Sequence, residues 1–430
     1  MAVRDFAALA RALTILALVA CAAGPAQAEL RGHGGPVRAV AALADGRHAV
    51  SGSFDQSAIV WDLERGTALS VLRFHDGAVN AVAPLPDGGF ATAGEDGRIA
   101  LWRIGIAEPA ATLAAHTGPI ASLALSSDGR RLASASWDGT GRVSPLPDGP
   151  ARILDGHAGP VNAVAFATDG RVVTGGHDLT VRFWPDGDGA PTIVTLPSPV
   201  NTLTALPDGG VAAAGGDGVL RLLATDGAVK AELDLRSGPI LGLSSSPDGR
   251  RLAAAAIGGS VSIVSWPDNR VLFRLVGPGL PVWSIAYSRD GRELLTGGSD
   301  RLVRRWDATT GEHIGPVVMA RPEDLLAVEG AERGAQVFKA CAACHTLTPD
   351  GGNRAGPSLH GLFGRRIATL PGYNFSDALK RLDIVWTAET IGKLFEVGPA
   401  RYTPGTKMPE QTVSDADRAA LVAFLEKATR

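Results

Sequence analysis

Between residues 35 and 291 apolar and polar positions alternate in short runs, and Asp-Gly turns cut these runs at regular intervals. The pattern opens as "GPVRAVAALADG" (35–46), "GAVNAVAPLPDG" (77–88), "GPIASLALSSDG" (118–129) and "GPVNAVAFATDG" (159–170). It continues as "SPVNTLTALPDG" (198–209), "GPILGLSSSPDG" (238–249) and "LPVWSIAYSRDG" (280–291). The apolar residue that starts each copy is Val37, Val79, Ile120, Val161, Val200, Ile240 or Val282, at spacings of 39 to 42 residues. Alternation with period two predicts β-strands with one buried face. The first copy runs on through "HAVSGS", a turn at Asp55, "SAIVWD" and a fourth strand. Four short strands make a small antiparallel sheet that cannot bury its faces alone. Seven such sheets stacked around an axis bury them and leave only short edges.

The stretch 29–315 therefore resembles a seven-bladed WD-repeat propeller. The resemblance implies a structural network in each blade. His33, Ser51, Asp55 and Trp61 match it in the first blade, His75, Thr92, Asp96 and Trp102 in the second, and His157, Thr174, Asp178 and Trp184 in the fourth. The third blade keeps His116, Ser134 and Asp138 but carries Val143 and Ser144 where the tryptophan belongs. The fifth keeps Asp217, the sixth loses the aspartate, and the seventh keeps Asp300 and Trp306. A catalytic triad is needed once, so recurring His, Ser and Asp read as turn-to-strand hydrogen bonding. Two segments compete to complete the last blade, "ELRG" (29–32) and "HIGPVVMA" (313–320). The N-terminal one is favoured, because closing the ring with both chain ends stops it opening.

After Pro322 the Asp-Gly turns stop and helical spacing begins. A helix is predicted within 323–340, starting near Leu326 or Ala331. Another is predicted over 415–429, with Ser414 as its cap and Ala419, Leu421, Val422, Leu425 and Ala428 on one face. This gives a small all-α domain over 328–430, joined by a linker at 316–327.

With 430 residues the chain exceeds what one core usually serves, and 54 glycines and 28 prolines suit many tight turns. A formal charge of −3 speaks against nucleic-acid binding. Arg4 and Arg11 flank a weak basic region ahead of the apolar "LTILALVA" (13–20), and "AQA" (26–28) supplies small residues for cleavage, so 1–28 reads as an export signal. The alternative is a lipoprotein signal over 1–20, since "LVAC" (18–21) resembles one, with Cys21 lipidated as the first mature residue. The expected location is the periplasm, soluble or lipid-anchored, with membrane contact only through a lipid at Cys21. In either case no cysteine is spare to pair with Cys341 or Cys344, which removes a structural disulfide framework.

Those two cysteines lie in "FKACAACHTL" (338–347). A Cys-x-x-Cys pair serves thiol exchange, half of a zinc site, or haem attachment. No βαβ pattern surrounds it, as a thioredoxin-like site requires, and zinc would have to recruit His345, His360 and carboxylates. His345 directly follows the second cysteine, so "CAACH" reads as c-type haem attachment. Cys341 and Cys344 would hold the porphyrin covalently, and His345 would supply the proximal nitrogen. Met408, in "YTPGTKMPE" (402–410), is the candidate for the opposite face of the iron.

Residues 328–429 resemble a class I c-type cytochrome of the mitochondrial-like group. The resemblance rests on "GAQVFKACAACHT" (334–346), "GPSLHGLFGRR" (356–366), "PGYNFSDAL" (371–379), "VWTAETI" (385–391) and "PARYTPGTKMP" (399–409). It implies one covalent haem c, with His345 and Met408 as metal ligands. It implies that Pro357 gives its carbonyl to the second nitrogen of His345. It also implies that Arg365 and Trp386 hydrogen-bond a propionate or its surroundings, and that Gly334 and Phe338 pack the first helix on the last near Leu421 and Leu425. Phe375, Leu379 and Phe395 replace polar residues common in the family, which predicts a drier crevice. The expected function is single-electron transfer between a donor and an acceptor redox protein. The propeller would be a docking module, and Lys407 and Arg401 part of a positive rim. The alternatives are a cytochrome-bearing subunit of a periplasmic oxidoreductase and a scaffold with a structural or sensing haem. A catalyst acting alone is the less favoured case.

Overall fold

A computed structural model describes residues 29–114, 116–277, 279–315, 333–342, 344–411 and 413–430. The export signal read at 1–28, with Cys21, and the linker read at 316–327 lie outside the described residues.

The Asp-Gly turns do what their chemistry suggests. In the first, Gly46 takes a φ of 69°, a region that favours glycine. Asp45 Oδ1 accepts from the Arg47 and His48 N–H groups at 2.9 and 3.0 Å, fixing where the next strand begins. Strands Val37–Ala42, His48–Ser53, Ala58–Asp62 and Thr67–Leu72 then pair antiparallel in chain order. The described residues form seven such four-stranded sheets. In each, the first pairing slips by one residue near its start, as between Val37 and Ala39 or Val79 and Ala81, so a bulge recurs in every blade.

The apolar core lies between blades. Val50, Val60 and Leu72 of the first blade pack with Val79, Phe90 and Trp102 of the second. At some crossings only a small residue fits. A Cβ on Gly52 would lie 2.6 Å from Val79 Cγ1, and one on Gly297 would lie 2.5 Å from Val37 Cγ1.

The ring closes through the N-terminal segment. Strand Glu29–Arg31 pairs with Leu302–Asp307, with Leu30 opposite Val303. Leu30 is fully buried with Val37, Ile59, Trp61, Leu295 and Val303, so residues from both ends of the propeller share one cluster. Arg304 pairs with Glu29 across this seam. His313 stacks on Trp306 and bridges to it but does not take the edge.

The repeated polar network is present as a directed chain. Trp61 Nε1–H donates to Ser51 Oγ at 2.7 Å, the Ser51 hydroxyl donates to His33 Nε2 at 2.8 Å, and Nδ1–H donates to Asp55 at 3.0 Å. Blades two and four repeat it through Thr92 and Thr174. The third blade keeps His116, Ser134 and Asp138 in contact, and Ser144 stands opposite Leu132 where blades one, two, four and seven place tryptophan. Four copies in one ring mark these histidines as structural.

The C-terminal domain is helical: α1 (Arg333–Phe338), α2 (Asp377–Lys380), α3 (Ala388–Val397), α4 (Pro399–Tyr402) and α5 (Asp415–Ala428). Ser414 caps α5 by accepting from the Asp417 N–H at 3.2 Å. Thr387 and Thr390 form a reciprocal capping box at the start of α3. Gly334 lets α1 sit on α5, since a Cβ there would come within 2.1 Å of the Ala420 carbonyl oxygen. The buried face of α5 is Leu421, Phe424 and Leu425. Ala419, expected on that face, is exposed, and Phe424 carries the contact instead, its ring centroid 5.5 Å from that of Phe338. These helices enclose a core that includes Ala335, Leu362, Ile391 and Phe395.

Candidate functional site

The chain turns tightly after α1. Cys341 N–H donates to the Phe338 carbonyl at 2.8 Å, and the Cys344 and His345 N–H groups both donate to the Cys341 carbonyl at 3.0 Å. This turn brings both thiols and the imidazole to one cavity of about 680 Å³. All seven residues singled out from the sequence line it: Cys341, Cys344, His345, Pro357, Arg365, Trp386 and Met408.

His345 Nδ1–H donates to the Pro357 carbonyl at 2.8 Å, which fixes the ring and leaves Nε2 for a ligand. Burial pushes His345 below its usual pKa, against the opposing pull of that hydrogen bond, so the imidazole is neutral and able to ligate. A Cβ on Gly356 would lie 2.4 to 2.7 Å from three atoms of the ring, so only glycine permits this approach. Burial also pushes Cys341 up to about 11, and raises Cys344. Thiol exchange calls for the opposite shift, toward thiolate. Met408 packs against the domain core on the loop after α4, its N–H donating to Thr406 Oγ1 at 3.1 Å.

Arg365 spends its guanidinium on the loop beyond Pro357. Nη1 donates to the His360 carbonyl and Nη2 to the Ser358 carbonyl, both at 2.9 Å. Burial lowers its pKa from the ordinary arginine value. Trp386 is tied through its backbone, donating to the Arg365 carbonyl at 3.0 Å and accepting from the Gly364 N–H at 2.8 Å. Apolar Phe375, Leu379 and Phe395 line the cavity as expected from the sequence.

Sequence reasoning assigned no role to Tyr373, although its phenol lines the same cavity and donates to the Ala355 carbonyl at 2.6 Å. It also missed the part played by the propeller. Gly34, Arg73, Glu108 and Arg301 line the cavity together with residues of the helical domain. Ala355 N–H donates to the Gly32 carbonyl at 2.7 Å, and a Cβ on Gly34 would fall 2.3 Å from Cys344 Sγ. Lys407, expected on a free positive rim, instead donates to the His75 carbonyl at 2.8 Å and to Gln56 Oε1 at 3.1 Å, and pairs with Asp76 at 3.3 Å. Arg401 is exposed. No sequence period could have revealed the bonds of Gly32, Gln56 and His75 to the helical domain, because each joins residues more than 300 positions apart.

The donor set suits haem c: two protonated thiols and a neutral, oriented imidazole face a mainly apolar cavity, with a thioether on the same lining. Residues 331–429 match the cytochrome c family, and residues 24–62, 66–103, 107–143, 149–185 and 269–307 match the WD domain, G-beta repeat. Those repeats correspond to blades one to four and seven, whereas blades five and six are the ones that have lost the histidine and tryptophan. Cytochrome c of Gibberella zeae is 44% identical over 101 residues, which is 23% of this chain and 94% of that protein. Cytochrome c of Arabidopsis thaliana is 44% identical over 109 residues, 25% of this chain and 96% of that protein. Cytochrome c2 of Blastochloris viridis is 38% identical over 114 residues, 26% of this chain and 89% of that protein. The chain belongs to the cytochrome c family, its C-terminal domain fused behind a WD40 propeller, and that membership implies haem c and an electron-transfer role.

Proposed function

We propose that this protein carries one haem c, joined through thioethers to Cys341 and Cys344 and ligated by His345 and Met408. It would pass single electrons between a donor and an acceptor redox protein, with the propeller as the docking module. It would work in the periplasm, as the reading of residues 1–28 suggests, either soluble or lipid-anchored at Cys21.

The observation that carries this reading is the His345–Pro357 hydrogen bond of 2.8 Å, which reserves Nε2 for the cavity shared with both thiols and Met408. When bound, the haem supplies a one-electron couple whose potential a histidine–methionine ligand pair raises. The chain's own residues do the rest. Pro357 orients the imidazole, Arg365 braces the loop that carries Pro357, and Phe375, Leu379 and Phe395 keep the cavity apolar.

The test uses the full-length exported protein. One haem that survives acid–acetone extraction, with a reversible one-electron titration, is expected. Met408→Ala should open the iron to added ligands and lower the potential. Haem that extracts freely would sink the covalent claim, and an unchanged spectrum in Met408→Ala would remove Met408 as a ligand.

A further inference from the structure

The propeller supplies part of the cavity lining, and one of its residues there, Arg73, is hydrogen-bonded to the helical domain. Arg73 follows the outer strand Thr67–Leu72 of the first blade. Its Nε donates to Tyr373 Oη at 3.0 Å, and its Nη2 donates to the Ala355 carbonyl. Tyr373 Oη donates to that same carbonyl at 2.6 Å, so two donors share one acceptor. Arg73 Nη1 is buried and has no hydrogen-bond partner, although Arg73 lines the cavity. A buried charged donor left without an acceptor is costly. What fills the cavity can supply its acceptor, and haem brings two propionate carboxylates.

We propose that Arg73 is a positioning and electrostatic residue of the haem site, contributed by the propeller, and that it makes the reduction potential depend on the docked arrangement of the two domains. This rests on the haem reading above. A reduced haem carries one positive charge less than an oxidised one, so a guanidinium held close in a poorly solvated interface favours reduction. Arg301 lines the same cavity and adds to this field, while Glu108, also lining it, opposes it. Asp55, whose carboxylate also feels Arg73, is engaged by His33, Ser57 and the Gly34 N–H. The Arg73 guanidinium is fixed by Tyr373 and Ala355, and this makes Arg73 the residue to test.

The experiment is redox titration of full-length holoprotein carrying Arg73→Gln, Arg73→Lys or Tyr373→Phe. Arg73→Gln is expected to lower the potential with covalent haem content and the visible spectrum unchanged. Arg73→Lys should recover much of the loss, because it restores the charge without the planar fork. Tyr373→Phe, which frees Nε, should shift the potential the same way by less. A wild-type potential in Arg73→Gln overturns the proposal, as does an equal fall in the Lys and Gln variants, which would indicate packing and not charge. If Arg73→Gln yields too little holoprotein, Arg73→Met takes its place, and a wild-type potential there overturns the proposal. Wild-type protein without covalent haem overturns the haem reading and this one together; haem that is bound but indifferent to Arg73 overturns this one alone.

Discussion

In the third blade His116 lies between Ser134 and Asp138, and in the fourth His157 lies between Thr174 and Asp178. Burial pushes both imidazoles below the ordinary value near 6.5, outweighing the acids beside them. Burial raises the Asp138 carboxyl, but the Thr140 hydroxyl and N–H outweigh it and hold the group at about 2. Asp178 sits at about 2 because burial is likewise outweighed, here by His157, the Ala158 N–H and Thr180. All four folded values lie below the unfolded ones, so on acidification the unfolded chain takes up protons first and stability falls. The imidazoles act from about pH 6.5 downward, and the carboxylates from about pH 4 to pH 2. The thermal unfolding midpoint of the propeller, followed by far-UV circular dichroism, should be level above pH 7, decline below 6.5 and drop more steeply below 4. His116→Gln should flatten part of the upper limb, and a midpoint constant down to pH 4 would contradict the assignment. These groups were legible in the sequence because they repeat at one spacing. Tyr373 was not, since a lone tyrosine beside Phe375 carries no pattern, and neither was the engagement of Lys407 with His75 and Gln56.

At the scale of elements, the helical domain depends on how closely α1 approaches α5. The first helix was expected near Leu326 or Ala331 and is described from Arg333. Its packing on the last helix through Gly334 and Phe338 matches the sequence expectation. What spacing did not settle was which residues of α5 face inward. Leu421, Phe424, Leu425 and Ala428 follow the i, i+3, i+4, i+7 rule, and Ala419, two residues before Leu421, falls on the opposite, exposed face. Gly334→Val forces two backbones apart at a contact of 2.1 Å. It should cost about 1–3 kcal/mol or more, the usual penalty for overpacking. The readout is the denaturant midpoint of the helical domain, with the propeller transition as an internal control. An unshifted midpoint would mean that the helices can slide apart freely.

For the whole molecule, the order of units was readable from the change of period near Pro322, and ring closure by "ELRG" was readable from the need to join both ends. The docking of one unit on the other was not, because hydrophobic patterning reports which face a residue takes within its own sheet or helix. It says nothing about which surfaces meet later. Leu30 gives the closure a test. It is fully buried at the seam between first and last blades. Leu30→Ala should cost about 2–5 kcal/mol, as core truncations do. Because the seam is where the ring opens, the loss should appear in the cooperative unfolding of all blades. Local fraying of the last blade alone, seen by hydrogen exchange, would show that the ring does not depend on its closure.

The approach of Gly34 to Cys344 also bears on how the protein is made. Chains emerge N-terminus first, so the residues of the propeller emerge ahead of Cys344. Once the domains dock, no room is left beside the Cys344 sulfur for a side chain, still less for an enzyme that joins haem to it. On the haem reading proposed above, attachment at Cys344 comes before docking, and the order of assembly is ring first, haem second, contact last.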